Sequence, residues 1–505
     1  MKVAVVGGGP GGLMTARLLE QKSAGHCRIT LFEAGSRLGG KIDTRRFAAL
    51  PASYEAGVAE CYDYEAFGRD ALKALVRELG LTPVPTHGHA VSLNGVILRD
   101  DSALAAHFGE RTWRAVEHFR RTAAAWMTPA TWCDAATAAR NQHPWAHRTC
   151  EELLAEVADP AARRYLEMVM HSDMATEPHL TSALVGLRNV LKNVPAYGAQ
   201  YTIAGGMGML PRKLAEGLRA TDVRLDSPIA AIGRGRDGRY CVEVRRGRLR
   251  WREQFDGVVV ALPYARLRDV EWAGERLRRA MATHVAHYDH PAHYLRISVL
   301  FDRPFWRDWF DGSWLMLDAF GGCCVYDEPG GNGTAAAHGV LGWLVAGSDA
   351  LSLSHVDHDA LVARAIGSLP RALQPHARRH AVEATVHRWA GALSGRPGGL
   401  PLRDARVAHQ PEPIEHERIV MVGDYLFDST LNGVLRSAEI ATDVVLARPR
   451  AANDPPLPEG FAQQEPRFLP VAADGAIGDA ERAGDFGIRQ SAEITELDDF
   501  SHSCI

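Results

Sequence analysis

Gly7, Gly9 and Gly12, with Gly8, Pro10 and Gly11 between them, sit at the G-x-G-x-x-G spacing that lets a backbone approach a pyrophosphate. Gly7 permits a tight turn, Gly9 leaves room for the phosphates, and Gly12 allows a helix to pack closely on a strand. Glu33, about twenty residues further on, is placed to accept a hydrogen bond from a ribose 2′-hydroxyl and disfavours a 2′-phosphate. The chemistry on offer is dinucleotide binding. The cysteines suggest no competing chemistry: Cys27, Cys61, Cys133, Cys150, Cys241, Cys323, Cys324 and Cys504 form no C-x-x-C pair and no metal-ligand spacing, which predicts reduced thiols and no metal. Cys323-Cys324 reads as a buried strand pair. Gly233-x-Gly235-x-x-Gly238 also matches the glycine fingerprint, but it precedes the strand pattern Tyr240–Val244 and not a helix. It is a hairpin loop, so no second nucleotide site is expected.

To work, the first glycines need a strand before them and a helix after. Val3 to Val6 is a β-branched run, Leu13, Ala16, Leu18 and Leu19 follow at helical spacing, and Arg28 to Phe32 reads as the next strand. This is a βαβ unit with a helix N-terminus aimed at phosphate. Downstream, Ala71–Leu79 has helical periodicity and Gly80 closes it. Ala90–Leu98 is a hairpin whose Asn94-Gly95 supplies both positive-φ positions of a type I′ turn. Residues 101–192 turn helical, with a capping box at Thr149 and Glu152 and a helix start at Asp159-Pro160. Further elements are a helix at Leu210–Leu218, a strand, turn and strand over Val223–Ile232, a buried strand at Phe255–Pro263 and an amphipathic helix at Ala360–Leu369. Gly330–Gly333 reads as an irregular stretch.

With 505 residues, 46% of them hydrophobic, and a net charge of −4, the chain can bury two packed lobes and offers no electrostatic case for nucleic acid. No leader-like segment precedes Lys2 and no apolar run approaches the ~20 residues of a membrane span, so a cytoplasmic protein is expected. From Arg450 onward there are eleven acidic residues and four arginines, with Pro455 and Pro456 among scattered glycines and alanines. That composition predicts a solvated, mostly disordered tail over 450–505, with room for a short helix around Ala492–Leu497. Its end, Phe500–Ile505, reads as plain linker, as a peptide that docks on a protein partner, or as a leader-like segment carrying a modifiable Ser/Cys core.

The stretch Glu33-Ala34-Gly35-Ser36-Arg37-Leu38-Gly39-Gly40-Lys41 resembles the E-A-x-x-R-x-G-G-[RK] extension of the flavin-containing amine oxidase superfamily, which includes monoamine oxidases, protoporphyrinogen oxidases and phytoene desaturase-like enzymes. The resemblance continues to about residue 447 and implies FAD as the dinucleotide. It places Arg37 and Lys41 near phosphate, with Ala34, Gly39 and Gly40 in the same wrap. Gly57 and Val58, within Tyr54–Glu60, correspond to a second cofactor-facing loop. Gly205-Gly206-Met207-Gly208 resembles a returning element, and Ile229 falls where the family makes a backbone contact to adenine. Gly423 and Asp424, then Asn432, Gly433 and Val434, resemble the closing flavin motif, in which the acid binds ribitol and a helix N-terminus points at the flavin.

The implied fold class is α/β: a Rossmann-type FAD-binding domain interleaved with an α+β substrate domain of sheet and helix. The cofactor lobe is expected from 1–90, 201–270 and 389–449, and the substrate lobe from 91–200 and 271–388. In related enzymes the helical insertion walls the substrate cavity. Trp126, Trp132, Trp145, His171 and His179 are therefore candidate lining residues, with ordinary helix packing as the alternative for each.

The resemblance implies an FAD-dependent oxidoreductase that moves hydride from a C–H bond of an amine or amino-acid-like small molecule to flavin N5, with reoxidation by oxygen. Two departures from the family pattern matter. Where its amine oxidases carry a lysine, in the strand before Pro304-Phe305-Trp306, this chain has Arg296. Arginine cannot replace that lysine, so Arg296 either binds a substrate carboxylate or pairs with a nearby acid. Trp389 matches a family tryptophan, but the position that often carries a cage tyrosine is Thr430, and Leu393-Ser394-Gly395 adds no aromatic ring. Arg296, Trp389 and Thr430 are the candidate catalytic positions. The departures keep two alternatives open: a desaturase or dehydrogenase of an apolar or biosynthetic intermediate, and a flavin-binding interaction protein without turnover.

Overall fold

Four short apolar strands, Lys2–Val6, Arg28–Phe32, Gly257–Val260 and Ile419–Met421, pair in parallel and are buried almost throughout. The more polar Thr221–Arg224 closes one edge beside Arg28–Phe32. In this computed structural model the first strand lies at the centre, flanked by Arg28–Phe32 on one side and Gly257–Val260 on the other. A parallel sheet needs cover on both faces. Helices Pro10–Ser23, Met209–Gly217 and Leu431–Leu446 supply one cover. The other is helix Glu275–Tyr288 together with a second sheet, built from Ile229–Arg234, Tyr240–Arg246, Leu249–Phe255 and Glu271–Trp272. The structure describes residues 1–88, 90–128, 142–191, 199–310, 312–328, 338–400, 403–426 and 429–447.

A seven-stranded sheet forms the other lobe, in the order Ala381–Ser394, Pro291–Phe301, Gly339–Ala346, Cys323–Glu328, Trp314–Leu317, Val91–Leu93 and Val96–Leu98. Side chains alternate between its faces. Leu295, Ile297, Val299, Leu341, Trp343 and Val345 pack one face against helices Gly347–Leu353, His358–Ser368 and Gln374–His380. On the opposite face Val91, Leu93, Trp314, Met316, Cys324 and Tyr326 join the core of a helical layer. That layer comprises Asp101–Phe108, Glu110–Trp126, Cys150–Ala155, Pro160–Met174 and Ala183–Leu191.

Short-range signals appear where the sequence put them. Asn94 and Gly95 have φ of 52° and 80° in the hairpin turn, and Gly80 has φ of 73° after the helix Ala71–Glu78. Thr149 and Glu152 form the reciprocal capping box, and Asp159 caps the helix that starts at Pro160. The Gly233–Gly238 segment turns one antiparallel strand into the next. Cys323 and Cys324 open a buried strand, and all six cysteines among the described residues are free thiols. No helix among the described residues is long and apolar enough to cross a membrane.

Several expected boundaries move. Phe255 ends the antiparallel strand Leu249–Phe255, and the parallel strand starts only at Gly257. Between them Asp256 switches the chain from one sheet to the other, exchanging its amide and carboxylate with the Lys2 backbone at 2.7 and 2.6 Å. The two strands expected within Val223–Ile232 likewise belong to different sheets. The lobe boundaries at 200/201 and 388/389 fall inside the strands Ala199–Ile203 and Ala381–Ser394, so neither marks a change of element. Trp145 packs in the helical core against Trp126, His171 is buried beside Glu177 at 3.4 Å, and His179 is exposed. Helix packing, the plainer alternative, accounts for the first three. Trp132, Gly330–Gly333 and the whole tail 450–505, with its docking peptide, lie outside the described residues.

Candidate functional site

The glycine loop, Glu33 and Gly423 follow the C-terminal ends of the parallel strands Lys2–Val6, Arg28–Phe32 and Ile419–Met421, where doubly wound sheets bind their ligands. Gly7 donates its amide to Phe32 O at 2.7 Å, and a Cβ on Gly12 would lie 1.9 Å from Gly7 O. Only glycine permits that approach. Helix Pro10–Ser23 has Gly9 at its N-cap and no side chain accepting from its first amides. An uncapped N-terminus carries unpaired N–H groups and the positive end of the helix dipole. A Cβ on Gly9 would meet only Gly40 Cα, at 3.8 Å, so this part of the loop is open on its outer side. Gly11 packs where a Cβ would lie 2.9 Å from Val422 and 3.4 Å from Val434, which seats the first helix on the closing one.

Glu33 is 5% exposed and accepts from Gly8 N–H at 2.7 Å and Gly35 N–H at 2.8 Å, around Ala34. A carboxylate has about four lone-pair sites, so capacity remains for a ribose hydroxyl. The wrap that follows touches the glycine loop, with Gly39 donating to Gly8 O at 2.9 Å. Lys41 reaches across the sheet to Asp424, Nζ to Oδ2 at 2.7 Å. Arg37, expected near phosphate, braces its own loop: Nη2 donates to Gly40 O at 2.7 Å and lies 3.4 Å from Asp43. Ile229 begins its strand opposite Val244. Gly423 donates to Ser437 Oγ at 3.1 Å, and Asn432 Nδ2 donates to Asp70 Oδ1 at 3.1 Å, tying two helix N-termini together.

Thr430 has a local structural role. It is the N-cap of helix Leu431–Leu446, its hydroxyl accepting from Gly433 N–H at 3.1 Å. Thr430→Ala is therefore expected to cost about 1 kcal/mol of stability, read from denaturant unfolding, and to leave substrate preference unchanged.

Arg296 and Trp389 both act on one stretch of backbone, residues 55–57. Trp389 Nε1 donates to Ala56 O at 2.7 Å. A Cβ on Gly57 would lie 2.0 Å from Lys41 O and 3.4 Å from the indole, so the chain passes between them without a side chain. Arg296 is 1% exposed; its Nη2 meets Glu328 Oε1 at 2.6 Å and its Nε donates to Glu55 O at 3.2 Å. Glu328 Oε2 in turn accepts from Glu55 N–H at 2.8 Å. Of the two alternatives for Arg296, pairing with an acid is the arrangement found.

Glu55 itself is held by Thr44 Oγ1 at 2.8 Å and Met207 N–H at 2.8 Å, which also explains the glycines around Met207: a Cβ on Gly206 would lie 2.6 Å from Thr44. Burial raises the Glu55 carboxyl to about 7; the Met207 amide opposes this and the Glu328 charge adds to it. Burial also raises Glu328, with Arg296 opposing. Sequence reasoning missed Glu55 and Glu328. The only available signal was an acid closing the apolar strand Cys323–Glu328.

Beyond Gly57, Glu60 Oε1 accepts from Tyr326 Oη at 3.4 Å, and Asp173 projects from helix Pro160–Met174. Burial pushes the Cys324 thiol well up, and the Glu60 and Asp173 charges add to it. The Tyr326 phenol is raised well above its usual value by burial, Cys324 and the same two carboxylates. These acids, too, were missed.

An uncapped helix N-terminus at an open glycine loop, a buried acid at the ribose position and Gly57 laid bare against Trp389 fit FAD. A family model described as flavin-containing amine oxidoreductase matches residues 10–446. No curated protein sequence matches the chain. Among solved structures, wild-type putrescine oxidase bound to putrescine superposes with a TM-score of 0.68 at 20% identity, covering 88% of this chain and 100% of the other. Cyclohexylamine oxidase from Brevibacterium oxydans IH-35A superposes with a TM-score of 0.65 at 17% identity, covering 88% and 98%. The chain belongs to the flavin-containing amine oxidoreductase family and is an FAD-dependent oxidoreductase.

Proposed function

We propose that the protein oxidises an amine, taking hydride from the carbon next to nitrogen. When bound, FAD supplies the acceptor at N5 and passes the electrons to oxygen, giving hydrogen peroxide. The observation that carries this reading is the acidic surroundings of Tyr326 just beyond the Gly57 loop, where Glu60 accepts from its hydroxyl at 3.4 Å and the Asp173 charge acts on it through space. Carboxylates near a binding site raise the local concentration of a cation, and an ammonium group is the cation an amine substrate brings. The names of the solved relatives, putrescine oxidase and cyclohexylamine oxidase, support the same class. An amino acid is the weaker candidate, because Arg296 already neutralises Glu328 and is not free for a substrate carboxylate.

In this reading Trp389 and Arg296 fix the 55–57 backbone that faces the flavin, while Glu60 and Asp173 orient the substrate through its ammonium. A second reading, desaturation of an apolar intermediate, draws on Arg296, which stands where the family's amine oxidases carry a lysine. Peroxide release from diamines, monoamines and amino acids separates the readings. Diamines and monoamines are expected to turn over. Glu60→Gln should raise KM for a diamine roughly 10- to 100-fold, the worth of a lost charge-assisted hydrogen bond, with kcat changed far less. Absence of peroxide with every amine, or an unaltered KM in Glu60→Gln, would overturn the proposal.

A further inference from the structure

The clamp on residues 55–57 contains one more acid than base. Arg296 is matched to Glu328 at 2.6 Å, and Glu55, 7% exposed, has no guanidinium or ammonium on its carboxylate among the described residues. What faces that carboxylate is Thr44 Oγ1, the Met207 amide, the Glu328 and Arg296 charges, and the neutral thiol of Cys61. Two ionised carboxylates and one guanidinium leave a net negative charge in a buried cluster, which is costly. One proton removes it.

We propose that Glu55 is a positioning residue that takes up this proton on its own carboxyl, and that the proton sets how the 55–58 backbone is seated against the flavin. The inference rests on the reading that FAD lies along Gly57 and Val58. When ionised, Glu55 grips the turn at 206–208: its carboxylate accepts from Met207 N–H, while Thr44 Oγ1 accepts from Gly208 N–H at 2.7 Å and donates to Glu55. Once protonated, the carboxyl becomes a donor toward Thr44 and a poorer acceptor for Met207. The link between the Thr44–Glu55 hairpin and the 206–208 turn then weakens. Glu55 is one peptide from Ala56 O, where Trp389 is anchored, so its charge state reaches the flavin-facing stretch through backbone that Arg296 and Trp389 hold on either side.

The sign of the accompanying stability effect follows from the raised value. Between about 4.5 and about 7 the folded state binds a proton on Glu55 that the unfolded chain has released, so this group's contribution is complete below about 4.5 and is lost as pH rises through about 7. The holoenzyme can be tested by thermal unfolding and by the midpoint potential of bound FAD, both as functions of pH. Wild type is expected to lose melting temperature across that window relative to Glu55→Gln, and its potential to show an inflection near pH 7 that Glu55→Gln lacks. If Glu55→Gln fails to fold, Thr44→Val serves: removing a donor to the carboxylate should move both breaks to higher pH. Superimposable pH curves for wild type and variant would overturn the proposal. Were the flavin to lie elsewhere, the unfolding curves would still differ while the potentials coincided, which separates failure of the flavin placement from failure of the proton site.

Discussion

Gly9→Val is expected to give a folded, colourless protein. A Cβ at position 9 has only Gly40 Cα within reach, at 3.8 Å, so the fold itself accepts a side chain there. The space it would occupy is the open side of the glycine loop, above the uncapped amides of helix Pro10–Ser23. A branched side chain in the phosphate path should reduce FAD content to below about a tenth of wild type, while circular dichroism and unfolding stay near wild type. Gly12→Ala provides the contrast. Its Cβ would sit 1.9 Å from Gly7 O, so strand and helix must separate and the fold itself should fail. A yellow, fully loaded Gly9→Val protein would contradict the cofactor placement.

Arg296→Met is expected to be among the most destabilising single changes in the chain. It leaves Glu328, 6% exposed, without its counter-charge, beside Glu55. Removing one partner of a buried pair typically costs 3 to 5 kcal/mol, roughly the cost expected here, and replacing both partners is far cheaper. Denaturant unfolding should show that loss, and Arg296→Met combined with Glu328→Gln should recover much of it. The single variant should also regain stability as the pH is lowered, because Glu328 can then be neutral. Wild-type stability with lost turnover would instead mean that Arg296 engages substrate.

What the sequence made legible was local. The Asn94-Gly95 turn, the Thr149–Glu152 box and the Gly7–Gly12 loop each have their partners within a few residues, so type and spacing carry the information. The site's polar logic spans greater distances. Arg296 meets Glu328 because two strands flank Gly339–Ala346 in the sheet, and Lys41 meets Asp424 because the first and last cofactor segments converge. No spacing rule registers such pairs. Resemblance drew attention to Arg296 and Trp389, but not to the main-chain atoms they hold. Thr430, singled out by resemblance, also caps the last helix, a role that a family position compared without its local context does not register. The 388/389 boundary lies within one element: Ala381–Ser394 is a long strand with a glycine, Gly391, at φ of 61°, and its half-buried pattern carries no stop signal.

Amine oxidation is tested most directly by mixing the yellow protein anaerobically with a panel of amines, amino acids and apolar intermediates, following flavin bleaching, and then admitting air. Rapid bleaching by an amine, weakened in Glu60→Gln, is expected, with reoxidation and peroxide when air enters. Bleaching by a non-amine alone, or reduced flavin that persists in air, would contradict it and favour the desaturase reading.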